Sequence, residues 1–179
     1  MRIIGGKLKG LRINPPANLP VRPTTDLAKE ALFNILNNLV DLENIKVLDL
    51  FSGTGSISLE FASRGAMEVV SVDKDFNCCK FQKQTAEKLR LPQIDVNRAD
   101  TFKYLEMETD SYDIIFADPP YDHPKLPLIP EIVFTKKLLK EGGILILEHP
   151  TMKKIDHPNF TEQRKYGNSS FSFYGESSA

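Results

Sequence analysis

The stretch KVLDLFSGTGSISLEFASRG, Lys46 to Gly65, decides the fold. It opens as an apolar run (Lys46–Phe51), turns on two glycines, and continues as a helical pattern from Ser56 to Gly65. The run does not alternate strictly between apolar and polar residues. Such a strand is expected to be buried on both faces, in a mostly parallel sheet between layers of helices. Gly53 and Gly55 lie in the turn, where glycine lets the backbone come close to a ligand. Exposed amides and the following helix N-terminus favour a carboxylate or phosphate there. Alone, such a turn is equally an ordinary strand-to-helix connection.

The same grammar repeats outward. Strands are expected at EVVSVD (Glu68–Asp73), IDVNRAD (Ile94–Asp100), YDIIFAD (Tyr112–Asp118) and GILILEH (Gly143–His149). A helix is expected over Asp75–Leu91, with Phe76, Cys79, Lys83 and Ala86 on one face and Pro92 ending it, and another within Pro127–Lys140. Upstream, TTDLAKEALFNILNNL reads as an amphipathic helix with Thr25 or Asp26 as N-cap and Leu27, Ala31, Ile35 and Leu39 down one face. After Pro150 the helices stop, and FTEQRKYG and SSFSFYG read as two strands around a Gly167-Asn168 turn. The expected architecture is a doubly wound α/β sheet finished by an antiparallel pair. Residues 1–20 form a small basic β-hairpin extension and residues 21–179 the main domain.

The 179 residues suit one domain, and 41% hydrophobic with 26% charged residues is ordinary globular composition. The net charge of -1 gives no global electrostatic case for nucleic acid, so any such surface must be local. The best local candidate is the N-terminus, where Arg2, Lys7, Lys9, Arg12 and Arg22 all precede the first acid, Asp26. Cys78 and Cys79 are adjacent, which rarely permits a disulfide, and no Cys/His spacing suggests a metal. Reduced thiols, no signal core and no membrane-length apolar run lead to a cytoplasmic expectation, with no membrane partner.

The chemistry concentrates at DPPY, Asp118 to Tyr121. Proline cannot extend a central strand, so the strand must stop at Asp118. If the sheet reverses between its first and fourth strands, the glycine loop and DPPY open onto one crevice. Pro119 and Pro120 stiffen the loop and turn carbonyls outward, and Tyr121 offers a flat face for a base. A carboxylate, a carbonyl and an aromatic plane together suit a planar exocyclic amine. Hydrogen bonds to Asp118 and the Pro119 carbonyl would free its lone pair for attack on a methyl group. Asp73 ends the second strand about 20 residues after the glycines, where an acid accepts bonds from ribose. Asp49 either caps loop amides or is a polar strand-end residue. Glu148 either faces the crevice or caps a neighbouring loop. His123 is near DPPY but is assigned no essential role. Ser58 stands where a dinucleotide fingerprint would have its third glycine, which argues against NAD.

These motifs resemble those of the S-adenosylmethionine-dependent methyltransferases of exocyclic amines. The chain is most similar to the bacterial small-subunit ribosomal RNA guanine-N2 methyltransferases of the RsmD type. RIIGG, RPTTDLAKEALFNIL, VLDLFSGTGSISLEFASRGA, DIIFADPPY and GGILILEH carry the resemblance, from residue 2 to about 149. It implies a seven-stranded Rossmann-like sheet and S-adenosylmethionine as cofactor. Asp49, Phe51, Gly53 and Gly55 would lie against the cofactor, Asp73 would hold its ribose and Asp100 its adenine amine, with Phe102 flanking the ring. Arg22, Pro23 and Thr24 would cover cofactor and target base. The implied partner is small-subunit ribosomal RNA in an assembled or late-assembling subunit, met by a monomer. Ser52, Thr54, Ser56 and Ser58 depart from the family's commoner small residues around the loop. Rival readings are adenine-N6 or glutamine methylation, a nicotinamide oxidoreductase, and a noncatalytic RNA-binding domain.

Overall fold

A computed structural model describes residues 1–21, 24–153 and 155–176. The elements are α1 (Asp26–Leu39), β1 (Lys46–Leu50), α2 (Ser56–Ser63), β2 (Glu68–Asp73), α3 (Phe76–Lys88), β3 (Ile94–Arg98), α4 (Thr101–Met107), β4 (Tyr112–Ala117), α5 (Leu128–Thr135), β5 (Leu139–Pro150), β6 (Phe160–Tyr166) and β7 (Ser169–Tyr174). They form a Rossmann-like fold whose seven-stranded sheet has the order β3-β2-β1-β4-β5-β7-β6. β1 to β5 run parallel, and β7 lies antiparallel to both β5 and β6. The order turns back between β1 and β4, so the expected switch point is present, with a crevice at its carboxyl ends.

Both faces of the sheet are buried, which is why the strands read as continuous apolar runs. On one face Val47, Val69, Phe116, Ile146 and Phe171 pack with Leu32, Phe33 and Leu36 of α1 and Phe61 of α2. On the other, Leu48, Val70, Ile115 and Leu145 pack with Leu105 of α4 and Ile129 and Val133 of α5. Among the described residues, no helix is long and apolar enough to cross a membrane.

Three expectations need correction. α1 does not bury Leu27, Ala31, Ile35 and Leu39; it buries Lys29, Leu32, Phe33 and Leu36, and Leu27 is 78% exposed. Ala31, Ile35 and Leu39 instead wall a groove of about 330 Å³ against Glu162, Arg164 and Tyr166 of β6. α3 buries Cys78, Cys79, Gln82, Thr85 and Ala86, whereas Phe76 lies outward under the Arg98 guanidinium and Lys83 is exposed. In both helices a polar side chain belongs to the inward stripe and hides it from an apolar count. α4 lies where no helix is expected from the pattern; Asp100 starts it by accepting the Phe102 and Lys103 amides.

The N-terminal segment is hairpin-like, closed by one antiparallel bridge between Arg2 and Arg12. Its hold on α2 is a buried ion cluster. The Lys29 ammonium donates to the Arg2 carbonyl at 2.6 Å and Ser56 Oγ at 3.0 Å, and stands 3.4 Å from Glu60 Oε1. Glu60 also accepts the Ile4 and Gly5 amides, both at 2.9 Å, and Arg64 Nε at 2.8 Å. Burial lowers the Lys29 pKa, against the opposing pull of Glu60. Gly6 has φ +78, and a Cβ there would fall 2.0 Å from the Ser63 carbonyl oxygen, so the segment lies flat on the helix.

Removing one member of such a cluster leaves a buried charge without its partner. Glu60→Ala is expected to cost about 3–5 kcal/mol of unfolding free energy, read from urea denaturation. A loss below about 1 kcal/mol would show that the cluster does not hold the segment.

Candidate active site

The crevice begins where β1 ends. Phe51 adopts φ 56, an unusual conformation for a bulky residue, and the chain then turns through Gly53 (φ 57) and Gly55 (φ 82). Gly55 is the N-cap of α2 and supplies no side-chain cap. A Cβ at Gly55 would lie 2.9 Å from Gln82 Cγ, so both space and φ call for glycine.

A buried polar chain holds this loop from below. Gln82 Nε2 donates to the Gly53 carbonyl at 2.7 Å and to Ser52 Oγ at 2.9 Å. Gln82 Oε1 accepts from Ser71 Oγ at 2.8 Å, and Ser71 meets Ser58 Oγ at 2.6 Å. Ser58 Oγ also lies 2.6 Å from Asp49 Oδ2; each serine has one hydrogen, so with Ser71 donating to Gln82 the Ser58 hydroxyl is shared between Asp49 and Ser71. Asp49 is therefore tied to α2 through Ser58 rather than to the loop amides. Burial pushes its carboxyl up to about 7, opposed by the Ser58 hydrogen bonds and assisted by the charge of Asp73. Asp73 Oδ2 accepts the Gly53 amide at 2.9 Å, and its Oδ1 accepts the Asp75 amide at 2.9 Å. Each oxygen keeps a lone pair for a further donor.

Phe102, at the start of α4, packs edge-on to Phe51 with ring centroids 6.4 Å apart. His123 lies 5.2 Å from the Phe102 ring and 5.8 Å from the Phe51 ring, and Lys125 Nζ stands 5.5 Å from Phe102. The loop after DPPY thus returns to the glycine loop.

Asp118 follows β4, which is flanked by β1 and β5; Ala117 pairs with Leu50 on one side and Leu147 on the other. Its amide donates to the Leu50 carbonyl at 3.4 Å. Asp118 is half-buried, Pro119 buried, and Pro120 exposed. Tyr121 is exposed along its ring, but its hydroxyl meets Ser169 Oγ of β7 at 2.8 Å. Glu148 stands at the matched position of β5, beside Asp118. Burial raises the Asp118 pKa well above the usual carboxylate range, and the Glu148 and Asp49 charges raise it further. Burial raises Glu148 as well.

The structure therefore gathers Asp49, Phe51, Gly53, Gly55, Asp73, Asp100, Phe102 and Asp118–Tyr121 around the carboxyl ends of β1 to β4. Arg22 and Pro23 lie outside the described residues. The Val21 side chain passes 3.5 Å from where a Gly53 Cβ would be, and Thr24 is half-buried before α1. Arg2, Lys7, Lys9 and Arg12 are exposed along the N-terminal segment. The Arg2 amide donates to Asp26 Oδ1 at the start of α1. Gln82, Ser71 and the Asp118–Glu148 contact escape sequence reasoning. A glutamine on an inward helix stripe and a serine inside the run VVSV are the available signals. Cys78 and Cys79 are buried free thiols, and among the described residues no cluster could hold a metal ion.

The strand order β3-β2-β1-β4-β5-β7-β6 with β7 reversed, together with the relatives below, places the chain among the class I S-adenosylmethionine-dependent methyltransferases. A family model described as "Conserved hypothetical protein 95" matches residues 1–175, and the chain belongs to that family. YlbH of Bacillus subtilis (strain 168) is 30% identical over 184 residues, covering 97% of this chain and 98% of its own. "Ribosomal RNA small subunit methyltransferase D" of Buchnera aphidicola subsp. Baizongia pistaciae is 33% identical over 162 residues, covering 88% of this chain and 81% of its own. A hypothetical protein of Thermus thermophilus superposes with a TM-score of 0.84 at 28% identity, covering 97% of this chain and 98% of that one.

Asp49 makes the site testable without any ligand. Its folded-state pKa of about 7 lies above the ordinary 3.8, so its burial is tolerated below about pH 4 and opposes folding increasingly up to about pH 7. Asp49→Asn is expected to flatten that slope and to gain up to about 4 kcal/mol near pH 8. Urea denaturation of both proteins at pH 4 and pH 8 checks it. An equal change with pH in both would show that Asp49 is not the group.

Proposed function

We propose that the protein transfers a methyl group from S-adenosylmethionine to the exocyclic N2 amine of a guanine in small-subunit ribosomal RNA. One observation carries the reading: Asp118 ends β4 beside β1, whose end leads into the glycine loop, and the chain after DPPY packs back through His123 onto Phe51. The Buchnera relative, named as a methyltransferase of small-subunit ribosomal RNA, supports it from outside.

The residues present fit the cofactor's chemistry. The Gly53–Gly55 turn offers close backbone approach for the amino acid end. Asp73 retains acceptor capacity for ribose hydroxyls, and Asp100 can receive the adenine amine beside the Phe51 and Phe102 rings. Thr24 stands half-buried just before α1, and the family resemblance gives Arg22 the part of covering the cofactor. When bound, the cofactor supplies a methyl group on a positively charged sulfur, which keeps the electrons of the broken bond as the amine lone pair forms the new one.

The protein's own part is positioning. An aromatic amine is a poor nucleophile because its lone pair is delocalised into the ring. Donating its two hydrogens to Asp118 and to the Pro119 carbonyl favours a pyramidal nitrogen with the lone pair directed at the methyl. Pro120 keeps the carbonyl fixed, and Tyr121, anchored on Ser169, stacks the base. The base must leave its own stack to reach this position. Arg2, Lys7, Lys9, Arg12 and Arg22 grip phosphates around it, residues 1–20 serving as an RNA-holding extension of the catalytic domain at 21–179. The protein acts as a monomer on an assembled or late-assembling subunit.

Asp118→Ala is expected to lower turnover by about a hundredfold or more while leaving cofactor affinity within about threefold. Labelled methyl transfer is measured on small ribosomal subunits, naked ribosomal RNA and DNA. Near-normal turnover by the variant would remove Asp118 from the chemistry. Methylation of adenine, or of DNA in preference to ribosomal RNA, would overturn the proposed acceptor.

A further inference from the structure

Asp118 and Glu148 end neighbouring parallel strands, one residue beyond the paired Ala117 and Leu147. At matched positions of neighbouring parallel strands the two side chains leave the sheet on the same face, so the carboxyls stand side by side, and Glu148 is only 6% exposed. Two such carboxylates offer acceptors only and repel if both ionise, so the stable arrangement is one proton shared between them. Among the described residues, no cation is placed against either group. Asp49, from β1, is the other charge acting on the pair. Across β7 the partner of Glu148 is Phe171, whose own partner on β6, Arg164, is bonded to Glu162 at 3.0 Å. His149, next along β5, is engaged by the Pro150 carbonyl at 2.9 Å and Ser172 Oγ at 2.6 Å, and burial lowers its pKa, favouring the neutral ring. Among the described residues, nothing therefore replaces the proton between the carboxyls.

We propose that Glu148 is a positioning residue that holds the proton shared with Asp118 and so sets Asp118 as the acceptor for the substrate amine. The inference rests on the methyl-transfer reading above. When the amine donates to the outer oxygen of Asp118, the shared proton is drawn to Glu148, and Asp118 meets the amine as a carboxylate fixed in place by the Glu148 hydroxyl. After transfer the nitrogen carries one proton too many. That proton passes to Asp118, leaving both carboxyls neutral, and returns to water as the product departs. Without a donor at position 148, Asp118 would lack the fixed orientation.

The pair predicts an alkaline limb in the pH–rate profile. Above its upper pKa the pair becomes doubly ionised and its two members repel, so turnover falls as pH rises. Glu148→Gln keeps a donor to Asp118 but has no proton to lose. It is expected to retain turnover within about threefold at neutral pH and to lose the alkaline limb, whereas Glu148→Ala loses about tenfold or more. A second measurement needs no substrate. The infrared difference spectrum of wild type minus Glu148→Gln at neutral pH is expected to contain a protonated-carboxyl C=O band, and subtraction cancels the contribution of Asp49. Absence of that band overturns the shared proton whether or not methyl transfer is seen. An alkaline limb unchanged in Glu148→Gln, or Glu148→Ala as active as Glu148→Gln, overturns the positioning role. If the band is present and no RNA or DNA is methylated by wild type, the pair stands and the methyl-transfer reading falls.

Discussion

The glycine loop depends on a polar chain buried beneath it. Asp49, Ser58, Ser71 and Gln82 pass hydrogen bonds from β1 through α2 and β2 to α3, and end on Ser52 and the Gly53 carbonyl. Buried polar groups are costly unless every one finds a partner, and then they rigidify what they touch. Here each link is about 2.6–2.9 Å long. The loop is therefore not a flexible turn waiting to be ordered by a ligand. Gly53 directs its amide to Asp73 and its carbonyl to Gln82, so the backbone facing the crevice is set by side chains behind it.

The same chain explains why the turn reads as GTGSIS rather than as the glycine fingerprint of dinucleotide enzymes. A glycine at position 58 would remove the hydroxyl that joins Asp49 to Ser71. Ser58 thus carries a structural duty, and its identity argues against NAD for a physical reason that spacing alone does not reveal. The cost of the network falls on Asp49, whose charge is disfavoured by burial.

Much of the fold is legible because the physics is local. Both-face burial writes the strands as apolar runs, and prolines and glycines mark their ends. Among the proposed site residues, Arg22 and Pro23 fall outside what the structure describes. What is not legible depends on distant partners. Lys29 reads as a solvated helix residue because nothing nearby in sequence announces Glu60, which lies beyond a strand and a turn. Gln82 likewise makes the buried stripe of α3 look interrupted. α4 is hidden because its start is made by a single aspartate cap rather than by an apolar pattern. The contact between Asp118 and Glu148 arises only from strand register, which no motif encodes.

That register also bears on what the crevice can hold. Asp49, Asp73, Asp100, Asp118 and Glu148 all stand at or near the carboxyl ends of adjoining strands, and burial raises three of them toward neutrality. Asp73 and Asp100 are instead tied to backbone amides as acceptors. The crevice is therefore graded: amide-bound acids under the glycine loop and at α4, and acids pushed toward neutrality where β4 meets β5. A ligand with its positive charge near the loop meets oriented carboxyl oxygens there. A neutral amine entering by Tyr121 meets instead a carboxyl pair able to accept a proton. On the proposed reading, one crevice holds a cationic donor at one end and takes a proton from the methylated amine at the other, because strand ends rather than a dedicated base set the two environments apart.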